Sequence, residues 1–261
     1  MKTLNKVTLI TLSLLATSAA NASGTYIRNG NVYTHEGDWI VEAGYAFTSE
    51  LYKEQKHVDT LLLNFGYHGD NFNADFGSLN YRFFGQTGDM INVNAYLGSS
   101  GLAYDSDSAG ILKGMDKRKL GVDAGLNADI FLHRDGAFSV FYQHDISNAS
   151  KGFQAGVKYT QVVKLGNVDF VPFAGVSYQS ADFANYYFGV KTNEVAAQRK
   201  SYDVSGDFSY TLGYKLVVPL SKRWDLTQTS AYTRLGSEIA NSPLVDSANQ
   251  WFTGATISFH F

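Results

Sequence analysis

The sequence predicts an all-β fold, a transmembrane antiparallel β-barrel of about 12 strands preceded by a cleaved signal peptide. Three observations predict it. Apolar and polar residues alternate with a period of two along most of the chain, which is typical of strands with one apolar face. The alternating segments are about 10 to 13 residues long, and a tilted strand needs ~9 to 11 residues to cross a bilayer. Their connections alternate between tight turns and long loops, as in outer-membrane barrels.

Residues 1–22 are expected to form the signal peptide. Lys2 and Lys6 precede a run of apolar and hydroxyl residues, and Ala20-Asn21-Ala22 matches the small-x-small rule of signal peptidase. The run is too short and too rich in serine and threonine for a permanent anchor, which needs roughly 20 apolar residues. The predicted mature domain spans 23–261, and no proline-rich or low-complexity linker divides it.

Composition limits the classes of function. Without Lys2 and Lys6, 19 basic residues face 24 acidic ones, which gives a formal net charge of −5. The densest basic cluster, Lys117-Arg118-Lys119, is short and follows Asp116, so no nucleic-acid partner is predicted. The chain has no cysteine. An exported protein without disulfides needs a large core or a closed hydrogen-bond network, and a barrel provides the second.

The clearest predicted strand runs from Leu120 to Leu132. Every second residue from Leu120 onward is apolar, while the residues between include Asp123, Asn127 and Asp129. The apolar faces contain no charged residue, which suits hydrocarbon, where a Lys or Arg at the midplane costs ~2–4 kcal/mol. The same alternation marks the segments 39–47, 61–67, 91–97, 138–142, 153–159, 208–218 and 251–261.

Eleven segments are credible strands, and single-chain bacterial barrels have an even number. The segment from Tyr26 to Thr34 is the candidate for the twelfth, and 10 strands is the alternative if Gly69-Asp70-Asn71 does not form a hairpin. Closure is required because an open sheet edge in lipid leaves backbone groups unpaired at several kcal/mol each.

The connections support this assignment. Counted from the C-terminus, long segments at 236–250, 181–203 and 104–117 alternate with tight turns at 221–223, 166–167 and 133–136, and the intermediate segment 148–150 is the exception. Short turns face the periplasm and long loops face outward in such barrels. Aromatic residues near the strand ends are interpreted as interface girdles: Trp39, Tyr45, Tyr67, Trp224, Tyr232 and Trp251.

The chain ends on a strand with hydrophobic residues at alternate positions and a terminal aromatic residue. We predict that this strand is the signal read by the barrel-assembly machinery, although an ordinary edge strand can also end in phenylalanine. The residues predicted to carry the signal are Gly254, Ile257, Phe259 and Phe261.

Several motifs resemble the conserved patches of the MipA/OmpV family of outer-membrane proteins: Tyr186-Tyr187-Phe188-Gly189-Val190, Ala231–Leu235, Asn241-Ser242-Pro243-Leu244-Val245 and Phe259-His260-Phe261. The segments 25–31 and 113–119 look like the OmpV branch. The resemblance implies an integral outer-membrane barrel surrounded by lipid and lipopolysaccharide. MipA-like members act as scaffolds between a lytic transglycosylase and a penicillin-binding peptidoglycan synthase, which would be the partners here. OmpV-like members are associated with adhesion, osmotic response and antibiotic susceptibility.

Polar residues of the predicted strands are expected to point into the barrel, where they line a narrow channel or pair to plug the lumen. A plugged or very narrow lumen is favoured, although 12 strands lie between the filled 8-stranded and the open 16-stranded types. These predicted lumen-lining residues are Asn92, Asn94, Asp123, Asn127, Asp129, Lys158 and Lys215.

The family motifs at Tyr186–Val190 and Ser242–Val245 fall in two long outer loops. They form either a binding surface or a plug folded back over the mouth. The plug is favoured because contiguous apolar residues in a loop need burial.

No catalytic, metal or cofactor site is predicted. His144 and Ser147 are three residues apart and would point to opposite sides of a strand, so a strand end followed by an Asx-type turn is favoured over a catalytic pair. The six histidines have no ligand spacing, and the acids of 105–110 lack the remaining ligands of a calcium loop. We therefore predict a structural, scaffold or surface-interaction role. The alternatives are a narrow pore, a surface adhesin, an enzyme acting on lipid or peptide at His144, and a soluble periplasmic β-protein.

Overall fold

The computed structural model describes residues 25–55 and 58–261, so the predicted signal peptide lies outside the described residues. Two short strands, β1 (Tyr26–Arg28) and β2 (Asn31–Tyr33), form a separate hairpin. The remaining strands form one antiparallel sheet: β3 (Asp38–Thr48), β4 (Val58–His68), β5 (Phe72–Asp75), β6 (Ser78–Phe84), β7 (Ile91–Ser100), β8 (Gly121–His133), β9 (Gly136–Asp145), β10 (Phe153–Gln161) continued by β11 (Val163–Leu165), β12 (Val168–Gln179), β13 (Asp207–Pro219), β14 (Trp224–Arg234) and β15 (Asn249–His260).

The sheet closes on itself. β10 and β11 are one wall strand interrupted at Val162, and both pair with β12, while β15 pairs with β3. The described wall therefore has 12 strands, and the predicted transmembrane barrel is confirmed. No helix in 25–55 or 58–261 is long and apolar enough to cross a bilayer.

The two faces of the wall are the reverse of those of a soluble protein. On β8, Leu126 and Ile130 are exposed on the outside, whereas Asp123, Asn127 and Asp129 are buried inside. Outward apolar side chains face hydrocarbon, and the inward polar ones pair with each other across the lumen. The period of two read from the sequence is thus the inside–outside period of the barrel.

The prediction that Tyr26–Thr34 is a wall strand is wrong. Asn29 and Gly30 have φ values of 49° and 66°, which make a two-residue turn between Arg28 and Asn31. Asn-Gly favours this turn because both central residues must adopt a positive φ. The chain therefore reverses in the middle of the segment and forms a hairpin instead of one long strand.

The twelfth wall strand comes from a different place. The turn at 69–71 is a true hairpin, because β4 and β5 pair on either side of it. A second turn at Phe76 and Gly77, where Gly77 has a φ of 92°, then separates β5 from β6. The predicted strand number is confirmed, although a different segment supplies it.

The long connections gather at one end of the barrel. They contain two helices, α1 (Ala181–Phe188) and α2 (Ser237–Ala240), and single 3-10 turns at Gly110–Leu112 and Thr192–Glu194. The turns at the other end are short, as predicted from the sequence.

Candidate functional site

The mouth on the side of the long loops is covered by a layer that we call the cap. It comprises the described parts of four connections, 49–55, 101–120, 180–206 and 235–248. Its apolar core is buried and contains Leu51, Tyr52, Tyr104, Ile111, Leu112, Met115, Phe183, Tyr187, Phe188, Val190, Val204, Ile239, Leu244 and Val245. Burial of this many large side chains makes the cap a small hydrophobic core on top of the barrel.

The family motifs lie in this core. Within Tyr186–Val190 and Ser242–Val245, only Tyr186 and Pro243 are even partly exposed. The structure therefore places most of these side chains inside the cap, where they contact other loops of the same chain.

Helix α1 brings the two motifs into contact. Ser180 caps its N-terminus by accepting a hydrogen bond from the Phe183 amide. At its C-terminus, the Ser242 hydroxyl donates to the Phe188 carbonyl at 2.6 Å, and the Tyr104 hydroxyl donates to the Tyr187 carbonyl at 3.3 Å. The last carbonyls of a helix have no donor within the helix, so these hydroxyls supply the missing hydrogen-bond donors.

Burial keeps the cap tyrosines neutral. It raises the pKa of Tyr52, Tyr104 and Tyr187 above the ordinary value for a phenol, because a buried phenolate would lose its hydration. Tyr187 donates its hydroxyl proton to the Lys119 carbonyl at 2.8 Å. The tyrosines therefore act as hydrogen-bond donors that join the loops.

A buried ion pair joins two of the cap connections. The Arg118 guanidinium donates to both carboxylate oxygens of Glu194, at 2.8 and 2.9 Å, and both side chains are almost completely buried. Arg118 also donates to the carbonyls of Tyr186 and Asp116, at 2.6 and 2.8 Å. The planar guanidinium thus holds 101–120 against 180–206 with three hydrogen bonds, and the fourth fixes it to its own connection.

The β1–β2 hairpin fills the opposite half of the lumen, and we call it the plug. Its turn is bound by Asp129 of β8, which accepts from the amides of Asn29 at 2.6 Å and Gly30 at 2.9 Å. Asp129 also accepts from Ser139 at 2.6 Å and Asn94 at 3.2 Å. One buried carboxylate therefore ties the plug to the wall.

A second contact holds the base of the plug. Arg28 is buried and donates to Asn73 of β5 at 2.8 Å, to the Gly69 carbonyl and to Glu36 at 2.7 Å. Thr25 donates to Asp169 of β12. The hairpin is therefore bound to opposite parts of the wall.

A cavity of about 560 Å³ remains between plug and cap. Its lining combines Ser, Thr, Asn and Gln side chains with leucines and with aromatic side chains such as Tyr96 and Phe141. The predicted lumen-lining residues are all buried, but they have different places. Asn127 and Lys158 line the cavity, Asn94 and Asp129 bind around the plug turn, and the amide of Gln143 donates to Asp123. Asn92 and Lys215 are buried in the wall without lining the cavity.

The predicted assembly-signal residues lie on β15, the strand that closes the barrel. Ile257 pairs with Ala43 and Phe259 with Val41 of β3. Phe261 is exposed and its ring stacks on that of Phe259, with centroids 6.0 Å apart. Gly254 faces the cavity. The signal role itself stays a prediction.

The fold also brings together two histidines that sequence spacing did not connect. His35 and His260 stack with ring centroids 3.7 Å apart, and their Nε2 atoms lie 3.3 and 3.1 Å from Asp225 Oδ2. Asp38 completes a group with one possible ligand atom from each of His35, Asp38 and His260. However, the rings are parallel to within 11°, so their in-plane lone pairs do not converge on one ion. We therefore assign no metal to this group.

We expect this histidine pair to make the stability of the folded protein depend on pH. Burial, and then the charge of the neighbouring His260, lower the pKa of His35 below its ordinary value, whereas Asp225 and Asp38 oppose the shift. The unfolded chain therefore binds this proton more readily, so stability is expected to fall as the pH drops below about 6.5. Denaturation at pH 7.5 and 5.5 should show a smaller loss for His35→Phe than for the wild type. His133→Phe, at the exposed end of β8, should behave as the wild type, and equal losses in all three proteins would contradict the prediction.

The hydroxyl of Ser147, one of the two residues weighed as a catalytic pair, binds Asp145 and the Val122 amide in the structure. Ser147 donates to Asp145 at 2.6 Å, and Asp145 also accepts from the amides of Ser147, Ser150 and Lys151. These bonds organise the turn after β9. Ser147 thus stabilises the backbone of this turn.

Comparison with known proteins defines the family. The family model of the MltA-interacting protein MipA matches residues 41–261. The chain belongs to the MipA/OmpV family. This member is 61% identical over 252 residues to outer membrane protein OmpV of Vibrio cholerae, with 97% of each chain covered. It is 25% identical over 262 residues to the MltA-interacting protein of Escherichia coli, covering 99% of this chain and all of the relative.

These similarities confirm the predicted family and its OmpV branch, and with the barrel they confirm an integral protein of the Gram-negative outer membrane. Among solved structures, the outer membrane channel DcaP of Acinetobacter baumannii is 9% identical, with a TM-score of 0.41 over 94% of this chain and all of that one.

Proposed function

We propose that this MipA/OmpV-family barrel is a scaffold protein without a catalytic centre, and that it binds cell-wall enzymes at its periplasmic end. The observation that carries the proposal is the obstructed axis: the chain packs its cap over one mouth and its plug into the opposite half of the lumen. Well-bonded segments along the axis suit a rigid scaffold better than an axial pore. The E. coli relative is named for its interaction with MltA, which supports a lytic transglycosylase as partner, with a peptidoglycan synthase beside it.

The periplasmic surface offers a place for such a partner. Short turns face the periplasm in outer-membrane barrels. Two of them expose Arg134, Lys222 and Arg223, and Lys164, which pairs with Asp169, is exposed on β11 just before a third. These turns follow β8, β11 and β13, so the basic side chains lie along one arc of the rim. A basic arc attracts an acidic partner surface and speeds association.

The proposal is tested by crosslinking in intact cells, followed by purification of a loop-tagged protein with an intact C-terminus. Recovery of a lytic transglycosylase or a peptidoglycan synthase is expected. Recovery of only the assembly machinery and lipopolysaccharide would contradict the scaffold and leave the pore and adhesin alternatives.

The basic arc gives a sharper prediction. Combined substitution of Arg134→Glu, Lys222→Glu and Arg223→Glu should lower the recovery of the cell-wall enzyme by roughly tenfold or more, because complementary charges at an interface set the association rate. The control reverses Lys113 and Lys117, which are exposed on the cap at the other end. Equal recovery with both sets of substitutions would show that the arc is not the docking site.

A further inference from the structure

The barrel wall has a gap beside β4. β5 has only four residues, and its pairing with β4 is limited to Tyr67↔Ala74 and His68↔Asn73. In the part of the wall that the structure describes, 58–66 is paired with β3 on one side but forms no strand ladder on the other, where only 64–66 lie next to β5. The wall resumes at the tip of the β5–β6 hairpin, where the Ser99 amide donates to the Gly77 carbonyl.

The gap extends from the outer border of the apolar band into the band. Leu61 and Leu63 border it and are 60% and 62% exposed on the outer face. Leu61 is opposite Tyr45, one of the aromatic residues of the outer girdle. Unpaired strand edges facing hydrocarbon cost several kcal/mol per group, and such backbone is tolerated only where it lines a cavity or is buried in protein.

The luminal cavity reaches this gap. Leu62 points inward while its neighbours Leu61 and Leu63 point outward, and all three line the same cavity. Its other walls include Leu79 on the outer face and Phe141 inside the lumen. The cavity thus extends to the gap, where Leu61–Leu63 of β4 and Phe76 and Leu79 of the β5–β6 hairpin line it from either side.

The lower edge of the gap is fixed by hydrogen bonds. Asn64 accepts from the Phe76 amide at 2.9 Å and donates to Asp75 at 2.9 Å. It also donates to Glu42 at 2.9 Å, which anchors it to β3. The hairpin tip is thus tied to β4, so the gap is bounded by ordered structure.

We propose that the gap is a lateral portal through which small, uncharged, largely apolar molecules pass between the bilayer and the luminal cavity. The portal is lined by Leu61, Leu62, Leu63, Phe76 and Leu79, which suit an apolar body. Farther in, side chains such as Gln143, Thr229 and Ser209 offer hydrogen bonds to one or two polar groups of the same molecule.

Size and access agree with this ligand class. The cavity volume of about 560 Å³ lies within the ~300–1,000 Å³ of small-molecule sites. The cap and the plug obstruct both axial routes. The portal is independent of the proposed scaffold role, because it opens into the bilayer and not onto the periplasmic rim.

Gly98 of β7 provides the test variant. It lines the cavity, and a Cβ added there meets open space. Gly98→Trp should therefore fill the cavity without displacing the backbone. Its control is Leu97→Trp, one residue along the same strand, where the side chain faces outward.

The probe is trifluoromethyl-iodophenyl-diazirine, a small uncharged photoreactive molecule that partitions into bilayers. Proteoliposomes are irradiated and labelled residues are identified by mass spectrometry. In the wild type and Leu97→Trp, labelling is expected at inward Leu62 and Phe141 as well as at outward Leu61 and Leu63. In Gly98→Trp, the inward labelling should be lost and the outward labelling kept.

Two outcomes would contradict the portal. The first is labelling of the wild-type protein at outward residues alone. The second is labelling of Leu62 and Phe141 by a charged, water-soluble diazirine to the same extent, which would show axial entry. Heat-modifiable migration in gels verifies that each variant has folded. The labelling pattern does not depend on transglycosylase binding. A negative result in the crosslinking experiment would therefore contradict the scaffold proposal and leave the portal proposal unaffected.

Discussion

Asp129→Ala is expected to turn a silent barrel into a conducting one. The carboxylate accepts two backbone amides from the plug turn as well as Ser139 and Asn94. Hydrogen bonds to a charged group contribute ~1.5–3 kcal/mol each, and their loss leaves buried amides unpaired. The hairpin should therefore leave the lumen for part of the time, and planar-bilayer recordings should show discrete conductance steps that the wild type lacks.

The matched control is Asp123→Ala. Asp123 is also a buried aspartate on the inner face of β8, but it accepts from Gln143 and does not contact the plug turn. This variant should stay silent. If folded Asp129→Ala is equally silent, the plug is held by its base alone, through Arg28, and the assigned role of Asp129 is wrong.

Arg118→Leu should open the cap while leaving the barrel intact. Removing one partner of a buried ion pair costs ~3–5 kcal/mol, because the remaining charge is buried without compensation. Glu194 would be that remaining charge. Proteinase K added to intact cells should cut the loops 101–120 and 180–206 in this variant, whereas the wild-type loops should resist.

Lys191→Ala provides the comparison. Lys191 and Asp116 bridge the same two connections at 3.1 Å, but their side chains are 61% and 57% exposed. An exposed pair contributes ~0–1 kcal/mol, so protease resistance should be almost unchanged. Equal cleavage of the two variants would show that burial of the Arg118 pair does not stabilise the cap.

The barrel itself could be predicted from the sequence because its signal is local. Alternation along β8 already separates Asp123, Asn127 and Asp129 from their apolar neighbours, and the lumen follows from that separation. The plug was missed although a local signal was present: Asn29-Gly30 favours a tight hairpin turn, which a single strand from Tyr26 to Thr34 does not allow.

The remaining features depend on long-range contacts. Arg118 and Glu194 are 76 residues apart, and neither has a neighbour in sequence that reveals the other. His35 and His260 come together only because β15 closes the barrel against β3. Similarly, the wall gap follows from the shortness of β5, which depends on the turn at Gly77.

The gap also changes how the wall bears mechanical load. The hairpin of β3 and β4 is attached to the rest of the sheet by the long ladder between β3 and β15 on one side, and on the other by two residue pairs and the hydrogen bonds of Asn64. The ladder between β3 and β15 therefore contributes most of this attachment. Because that ladder also closes the barrel, a substitution that weakens closure also loosens the strands that border the gap.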